Sequence, residues 1–314
     1  MLTTPVIRCL KRQLGAEIHF LTKRSFRSIL SANPYLEELH LIDKKVSEVL
    51  PRLKVIKFDY IIDLHNNLRS RQIKWGLRIK AFTFNKINFP KWLIVNFKIN
   101  RLPDVHIVDR YLETVQKLGV KNDGKGLDYH IPSEDEVDLS AFFASHNLPE
   151  TKYITFVIGA AHQTKRLPTE KIIAVCQKTS KAILLIGGPG EAEEGEQIVQ
   201  TAGKHVINTC GQLSLHASAS LVKQSQAVIA HDTGFMHIAA AFHKPIISVW
   251  GNTIPEFGMY PYYPEGVNLN TTVEVKNLNC RPCSKIGFGQ CPKGHFKCME
   301  RIDLEKIKFV DHPH

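Results

Sequence analysis

In the second half of the chain, apolar positions follow two alternating rhythms. Short continuous apolar runs at 153–158, 181–186, 205–208, 227–230 and 245–250 have strand length and predict buried strands. Between them, residues 169–179, 191–201, 215–224 and 233–242 place apolar side chains at helical spacing. Strands alternating with helices at these intervals predict an α/β fold with a parallel, doubly wound sheet and a ligand beyond the carboxyl ends of its strands. The first half is less regular. Residues 5–14 predict a helix that leads through Gly15 to a strand at 17–21, and residues 58–64 predict a buried strand. Asn66-Asn67 opens a helix whose apolar positions include Leu68, Ile73 and Leu77, and 106–118 form an amphipathic helix ending at Gly119. The acidic, proline-containing stretch 123–138 is the predicted linker or edge region, and the domains are expected at 1–148 and 149–314.

Length and composition agree with that division. A chain of 314 residues, 43% hydrophobic and 23% charged, is long enough for two domains with sizeable cores. No apolar run reaches bilayer length, and Met1 is not followed by a basic then apolar leader, so the expected compartment is the cytoplasm. The net charge of +11 is uneven: residues 51–100 hold eleven Lys/Arg against Asp59 and Asp63. Such a field attracts phosphate-rich partners. Trp75, Phe82, Phe84, Phe89, Trp92 and Phe97 interleave with these cations. That mixture suits an anionic membrane surface, or a basic solvated face over an aromatic core. No nucleic-acid-binding module pattern is present, so nucleic acid is not an expected partner. Seven cysteines, an odd number, argue against a disulfide framework. Four of them, Cys280, Cys283, Cys291 and Cys298, form C-x2-C-x7-C-x6-C around His295, which leaves open a structural metal or reduced thiols packing a loop.

Four segments carry candidate chemistry. In 227–255 a buried strand ends at His231-Asp232, and Thr233-Gly234 begins a helix. Free N–H groups at a helix start attract an anion, glycine permits close approach, and His237 lies one turn along on the same face. The bland reading is that Asp232 only caps the helix. After the 153–158 strand, Thr164, Lys165 and Arg166 sit in a loop where a cation can neutralise a departing diphosphate. After 181–186, IGGPGE lacks a P-loop pattern but offers Glu191 to ribose or base, with first-turn placement as its structural alternative. In 62–71, Asp63 and His65 end a strand, and Asn66, Arg69 and Arg71 follow. The arginines suit an acidic acceptor, or are a surface face behind an N-cap.

HDTGFMHIAAAFHKPIISVWGNTIP resembles the most characteristic segment of the lipopolysaccharide heptosyltransferases, glycosyltransferase family nine. LTTPVIRCLKRQ, YIIDLHNNLRSR, HIVDRYLETVQKLG, GAAHQTKRLP, LLIGGPGE and INTCGQLSL resemble other family segments in the family's order, as does the cysteine-rich tail. The resemblance implies the GT-B fold: two Rossmann-like domains whose parallel sheets face each other across a cleft, acceptor side first and donor side second. It implies inverting transfer of a heptose from the nucleotide sugar ADP-heptose to the inner core of lipopolysaccharide, with a lipid A–core glycolipid as partner and no cofactor. The basic first domain would rest on the inner leaflet. Lys165 and Asp232 take the catalytic places. Thr164, Lys165, Glu191 (with Glu193 as rival), Asp232, Thr233, Gly234 and His237 are the implied donor contacts. Asn66, Arg69 and Arg71 are the expected acceptor contacts, and Asp63 is a loosely placed candidate base. The family's first strand, its glycine turn and the Asp taken there as base have no counterpart before Leu2, so an upstream start is expected. The alternative reading is a degenerate GT-B protein that binds nucleotide or glycan without turnover. A nucleotide-binding oxidoreductase is disfavoured by the absence of Gly-x-Gly-x-x-Gly.

Overall fold

The computed structural model describes residues 1–308. In the first half, α1 (Thr4–Leu14) carries Pro5 in its first turn and stops at left-handed Gly15. Strands β1 (His19–Lys23) and β2 (Glu38–Ile42) pair in parallel, with α2 (Arg27–Leu30) between them. After α3 (Leu50–Val55), β3 (Ile61–Asp63) and β4 (Ala81–Thr83) form a second parallel pair joined by α4 (Leu68–Leu77). The Asn67 side chain caps α4 by accepting from the Ser70 N–H at 2.9 Å. Then come α5 (Asn88–Phe97), α6 (Ile107–Glu113) and α7 (Leu139–Ser145).

The two pairs do not join. β1 and β3 each have one paired neighbour among the described residues, and both border a cavity of about 560 Å³. Residues 20–22 and 60–65 line it consecutively, so backbone edges as well as side chains face the space. The gap leaves β3 as an edge strand paired only with β4 among the described residues. It also explains why the buried strand expected over 58–64 shrinks to three half-paired residues with Tyr60 exposed. The helix expected over 106–118 tightens after Glu113, where Thr114 and Val115 donate to carbonyls only three residues back, and ends in a 3-10 turn before left-handed Gly119. The stretch expected as a linker is clamped. Buried Arg8 of α1 bonds Asp123 at 2.7 and 2.8 Å, the Gly126 carbonyl at 2.9 Å, and Asp128.

The second half follows the alternation closely. Six parallel strands are β5 (Tyr153–Val157), β6 (Ala182–Ile186), β7 (Val206–Asn208), β8 (Ala227–His231), β9 (Ile246–Trp250) and β10 (Asn270–Glu274). Their spatial order is β10-β9-β8-β5-β6-β7. The helices are α8 (Thr169–Cys176), α9 (Ala192–Ala202), α10 (Leu215–Gln224), α11 (Gly234–Ala241) and α12 (Lys297–Glu300). Period-two alternation sends Ile154, Phe156, Ile183, Leu185, Ile229 and Val249 to one face, against α8, α9 and α12. Tyr153, Val157, Leu184, Val228 and Trp250 go to the other. There they join α10 and α11 and also Val6, Cys9, Val108, Leu112 and Phe143 from the first half. One apolar cluster therefore crosses the expected boundary at 148.

Candidate active site

The strand order reverses between β5 and β8, which lie side by side in register. A crevice opens at such a reversal, beyond the carboxyl ends of the strands. The loop after β5 delivers Lys165 to it, and the end of β8 delivers Asp232. Lys165 Nζ lies 2.6 Å from Asp232 Oδ2 and donates also toward the Asp232 carbonyl at 3.4 Å. Thr253 Oγ1 donates to the same carboxylate oxygen at 2.9 Å. Asp232 therefore holds a lysine and a threonine rather than capping the helix. Thr233 is the N-cap residue of α11, and its side chain makes no capping hydrogen bond to the first turn.

Three groups at this helix mouth have polar capacity to spare. Thr233 Oγ1 and His237 Nδ1 are buried without a hydrogen-bond partner. Exposed Gly234 faces open space, since a Cβ there would meet nothing within 4 Å. Burial, with His106 and Lys165 nearby, lowers the His237 pKa to about 3, so its imidazole is neutral at ordinary pH. His231 lies fully buried behind the site. Its Nε2 accepts the Leu167 N–H at 3.0 Å, and burial, then Arg166, lowers its pKa to about 3.

Thr164 is brought close but turned away from the crevice. It is 2% exposed; its Oγ1 accepts the Phe288 N–H at 2.9 Å and lies 3.1 Å from both Asn252 Oδ1 and the Phe288 carbonyl. It ties the Lys165 loop to the β9 loop and to the cysteine-rich segment. Gly251 is needed for that join, because a Cβ there would come within 2.5 Å of the Thr164 carbonyl. Arg281 secures the same loops, donating to the Gly251 and Thr253 carbonyls at 2.6 and 2.8 Å and pairing with Glu274 at 2.7 Å. The four clustered cysteines are free thiols. Cys280 Sγ is 3.8 Å from His295 Nε2, and burial raises Cys283 to about 11 and Cys298 to about 12, with the neighbouring thiols adding to both.

Glu191 is engaged on both oxygens. Arg166 donates to one at 3.2 Å, and the Gly188 N–H donates to the other at 2.8 Å. Gly159 must lack a side chain there, since a Cβ would sit 2.9 Å from Glu191 Oε2. Arg166 also pairs with Glu194, so it does not share the crevice with Lys165. Glu193 instead borders a recess of about 350 Å³ beyond β6 and β7, with Pro189, Asn208, Cys210 and Gly211.

In the first half of the chain, Asp63 is locked into its turn. It accepts from the His65 and Asn66 N–H groups at 3.1 and 2.7 Å, and Lys74 Nζ lies 2.8 Å from its other oxygen, in ion-pair contact but off the hydrogen-bonding angle. Burial raises its pKa, but Lys74 and the backbone donors outweigh this and leave it below the usual range. Asn66 donates to the Phe84 carbonyl at 3.2 Å. Arg69 is half-buried, Arg71 is exposed, and neither lines the cavity. The cations that line it are Lys86, Lys91 and Lys285. Beside them Arg110 is 5% exposed, with Nε and Nη1 lacking partners and its guanidinium 5.7 Å over the Phe84 ring. Burial, then Arg110, Lys285 and Lys86, pull Lys91 down to about 8. The sequence signal was present: Arg110 interrupts the apolar stripe of Ile107, Val108 and Leu112, where a charge requires a reason.

The sequence profile described as "Glycosyltransferase family 9 (heptosyltransferase)" matches residues 47–288. Lipopolysaccharide heptosyltransferase 1 of Campylobacter coli is 23% identical over 93% of this chain and 88% of that protein. The crystal structure of a glycosyl transferase family 9 protein from Veillonella parvula DSM 2008 superposes with a TM-score of 0.71 at 26% identity, over 86% of this chain and 82% of that one. The structure of E. coli ADP-heptose LPS heptosyltransferase II shares the fold, with a TM-score of 0.67 at 16% identity over 98% and 92% of the two chains. The chain thus belongs to glycosyltransferase family 9, the heptosyltransferases, and is a glycosyltransferase of GT-B architecture.

Proposed function

We propose that this enzyme transfers a heptose from ADP-heptose to the inner core of lipopolysaccharide by direct, inverting displacement. The observation that carries the reading is the Lys165–Asp232 pair at the sheet's reversal, beside the uncapped start of α11. A diphosphate placed there meets the first-turn N–H groups, the Thr233 hydroxyl, neutral His237 and the Lys165 ammonium. As the sugar–oxygen bond breaks, negative charge grows on the departing ADP, and these fixed donors stabilise it. Asp232 and Thr253 hold Lys165 in place. No cofactor is drawn on, because Lys165 and the helix N-terminus supply the positive field. The nucleoside lies toward the recess bordered by Glu193, while Glu191 and Thr164 hold the loops that shape the crevice. A phosphorylated or carboxylated acceptor is drawn in by Lys86, Lys91, Arg110 and Lys285, with Asn66, Arg69 and Arg71 at the outer rim.

The test is turnover of ADP-heptose with a lipid A–core acceptor. Lys165→Ala is expected to lower kcat by roughly 10²–10³ with folding intact. Unchanged turnover would remove Lys165 from the chemistry. Nucleotide binding without sugar transfer by the unaltered protein would favour the degenerate binding protein.

No helix among the described residues is long and apolar enough to cross a membrane. We further propose that the enzyme works at the cytoplasmic face of an anionic membrane through its basic first half. The aromatic residues there do not form a core: Trp75, Phe89, Trp92 and Phe97 are 78%, 67%, 51% and 58% exposed, whereas Phe84 is buried.

A further inference from the structure

The parallel pair β1–β2 gathers three ligand-type side chains that the donor and acceptor chemistry does not use. His19 and Glu38 are register partners, and His40 lies two residues along β2 on the same face. His19 Nδ1 and His40 Nε2 are 3.0 Å apart, and Glu38 Oε2 lies 3.6 and 3.5 Å from them. Two imidazoles alone would share one proton at that separation. The carboxylate oxygen is then left aimed between them at distances too long for good hydrogen bonds to either ring.

The triangle has the size of a coordination face. With sides of 3.0, 3.5 and 3.6 Å its circumradius is about 2.0 Å, so an ion at an ordinary zinc–imidazole bond length of about 2.0–2.1 Å reaches all three atoms from just off their plane. The surroundings orient the ligands. The Phe58 ring stands edge-on to His19 with centroids 5.1 Å apart, and the His19 and His40 rings stack at 5.2 Å. Arg52 pairs with the other oxygen of Glu38, which leaves Oε2 free to point at the triangle. The His40 side chain is 2% exposed, so its ring is packed in place with Nε2 turned toward His19 and Glu38. Both histidines border the 560 Å³ cavity, which gives an ion a way in and leaves room for water on its open side.

We propose that His19, Glu38 and His40 form a site for a divalent transition metal of the zinc, cobalt or nickel type. Two imidazoles and one carboxylate select such ions over magnesium or calcium, which prefer all-oxygen shells. Its place across two strands gives it a structural task. A two-stranded sheet is marginal by itself, and an ion bound to the folded form alone stabilises it by mass action.

The experiment titrates the full chain, stripped with a chelator, with cobalt(II) followed by absorption and with zinc(II) followed by calorimetry and thermal unfolding. Thiolate-to-cobalt charge-transfer absorption identifies any ion held by Cys280–Cys298 and separates it from a nitrogen and oxygen site. The expected result is ligand-field absorption without that charge transfer at one equivalent, and a zinc-dependent rise in the unfolding midpoint. Both Glu38→Gln and His19→Gln, checked for native circular dichroism, should weaken this binding at least about tenfold and abolish the rise. Glu38→Gln keeps the proposal testable if the histidine variant fails to fold. Cobalt bound only with thiolate character, or wild-type affinity in both variants, would reduce the cluster to a hydrogen-bonded histidine pair.

Discussion

Gly234 shows how one residue can separate binding from folding. It opens α11, and a methyl there touches no protein atom within 4 Å. Its backbone does not use the left-handed region, so Gly234→Ala should fold as well as the parent, or better by up to about 1 kcal/mol. The same methyl stands where a phosphate must approach the first-turn N–H groups. Calorimetry should therefore show ADP binding weakened about tenfold, or about 1.4 kcal/mol, with the unfolding midpoint unchanged or raised. Undiminished affinity would place the diphosphate elsewhere. The buried histidines make a second statement at this scale. Burial is the leading cause that lowers His106 to about 4 and His231 and His237 to about 3. Unfolded, each takes up a proton near pH 6.5; folded, each resists until pH 3–4. Their contribution is fully present above pH 6.5 and is lost as the pH falls toward the folded values, at up to about 1.4 kcal/mol per pH unit for each. Urea unfolding at neutral pH and at two points below pH 6 should show this decline. A flat profile would mean that these rings are charged in the native state.

Elements differ in how plainly the sequence declared them. The runs forming β5, β6, β8 and β9 are buried on both faces, and an apolar run of that kind has few other uses. β10 went unseen because it is an edge strand with only Val273 buried, and β4 because three residues leave no periodicity to read. Asp232, Lys165 and Gly234 were legible because a strand end followed by a helix start is written locally. Lys86, Lys91 and Lys285 were not, because the fold brings a loop near residue 285 against the start of α5, far earlier in the chain; of this group only Arg110, a charge within an apolar helix stripe, left a local signal. Glu191 and Thr164 were legible as loop residues, but a sequence does not record that neighbouring donors already occupy their oxygens. The same contrast of context predicts dynamics. Among the described residues β1 and β3 have one neighbour each beside a cavity, whereas β5 and β8 are central in a six-stranded sheet. Hydrogen exchange should protect the amides of β5 and β8 close to the global limit and release those of β1 and β3 by local opening, at least about tenfold faster. Equal protection in both regions would show that the two parallel pairs open only with the whole protein.

At the scale of the whole molecule, α5 joins the first-half cavity to an exposed aromatic patch. Its half-buried Lys91 lines the cavity of about 560 Å³, while exposed Phe89 and Trp92 stack 6.1 Å apart and Trp92 meets Phe97 at 5.1 Å. Exposed aromatic rings beside cations favour the interface of an anionic bilayer, where the rings reach headgroup depth and the lysines meet phosphate. A glycolipid acceptor anchored in that bilayer would then present its charged sugars at the height of Lys86, Lys91 and Arg110, so docking and acceptor capture would be one event. Phe89→Glu combined with Trp92→Glu separates the two contributions, because neither ring lines the cavity. The double variant should sediment with phosphatidylglycerol vesicles at least about tenfold less than the parent, and the parent's binding should itself fall with added salt. Its KM should rise for acceptor embedded in vesicles and stay unchanged for acceptor dispersed in detergent, with kcat constant in both. Vesicle binding equal to the parent's would assign membrane contact to another face of the basic half, and an equal loss on dispersed acceptor would mean that the rings support the cavity rather than a bilayer.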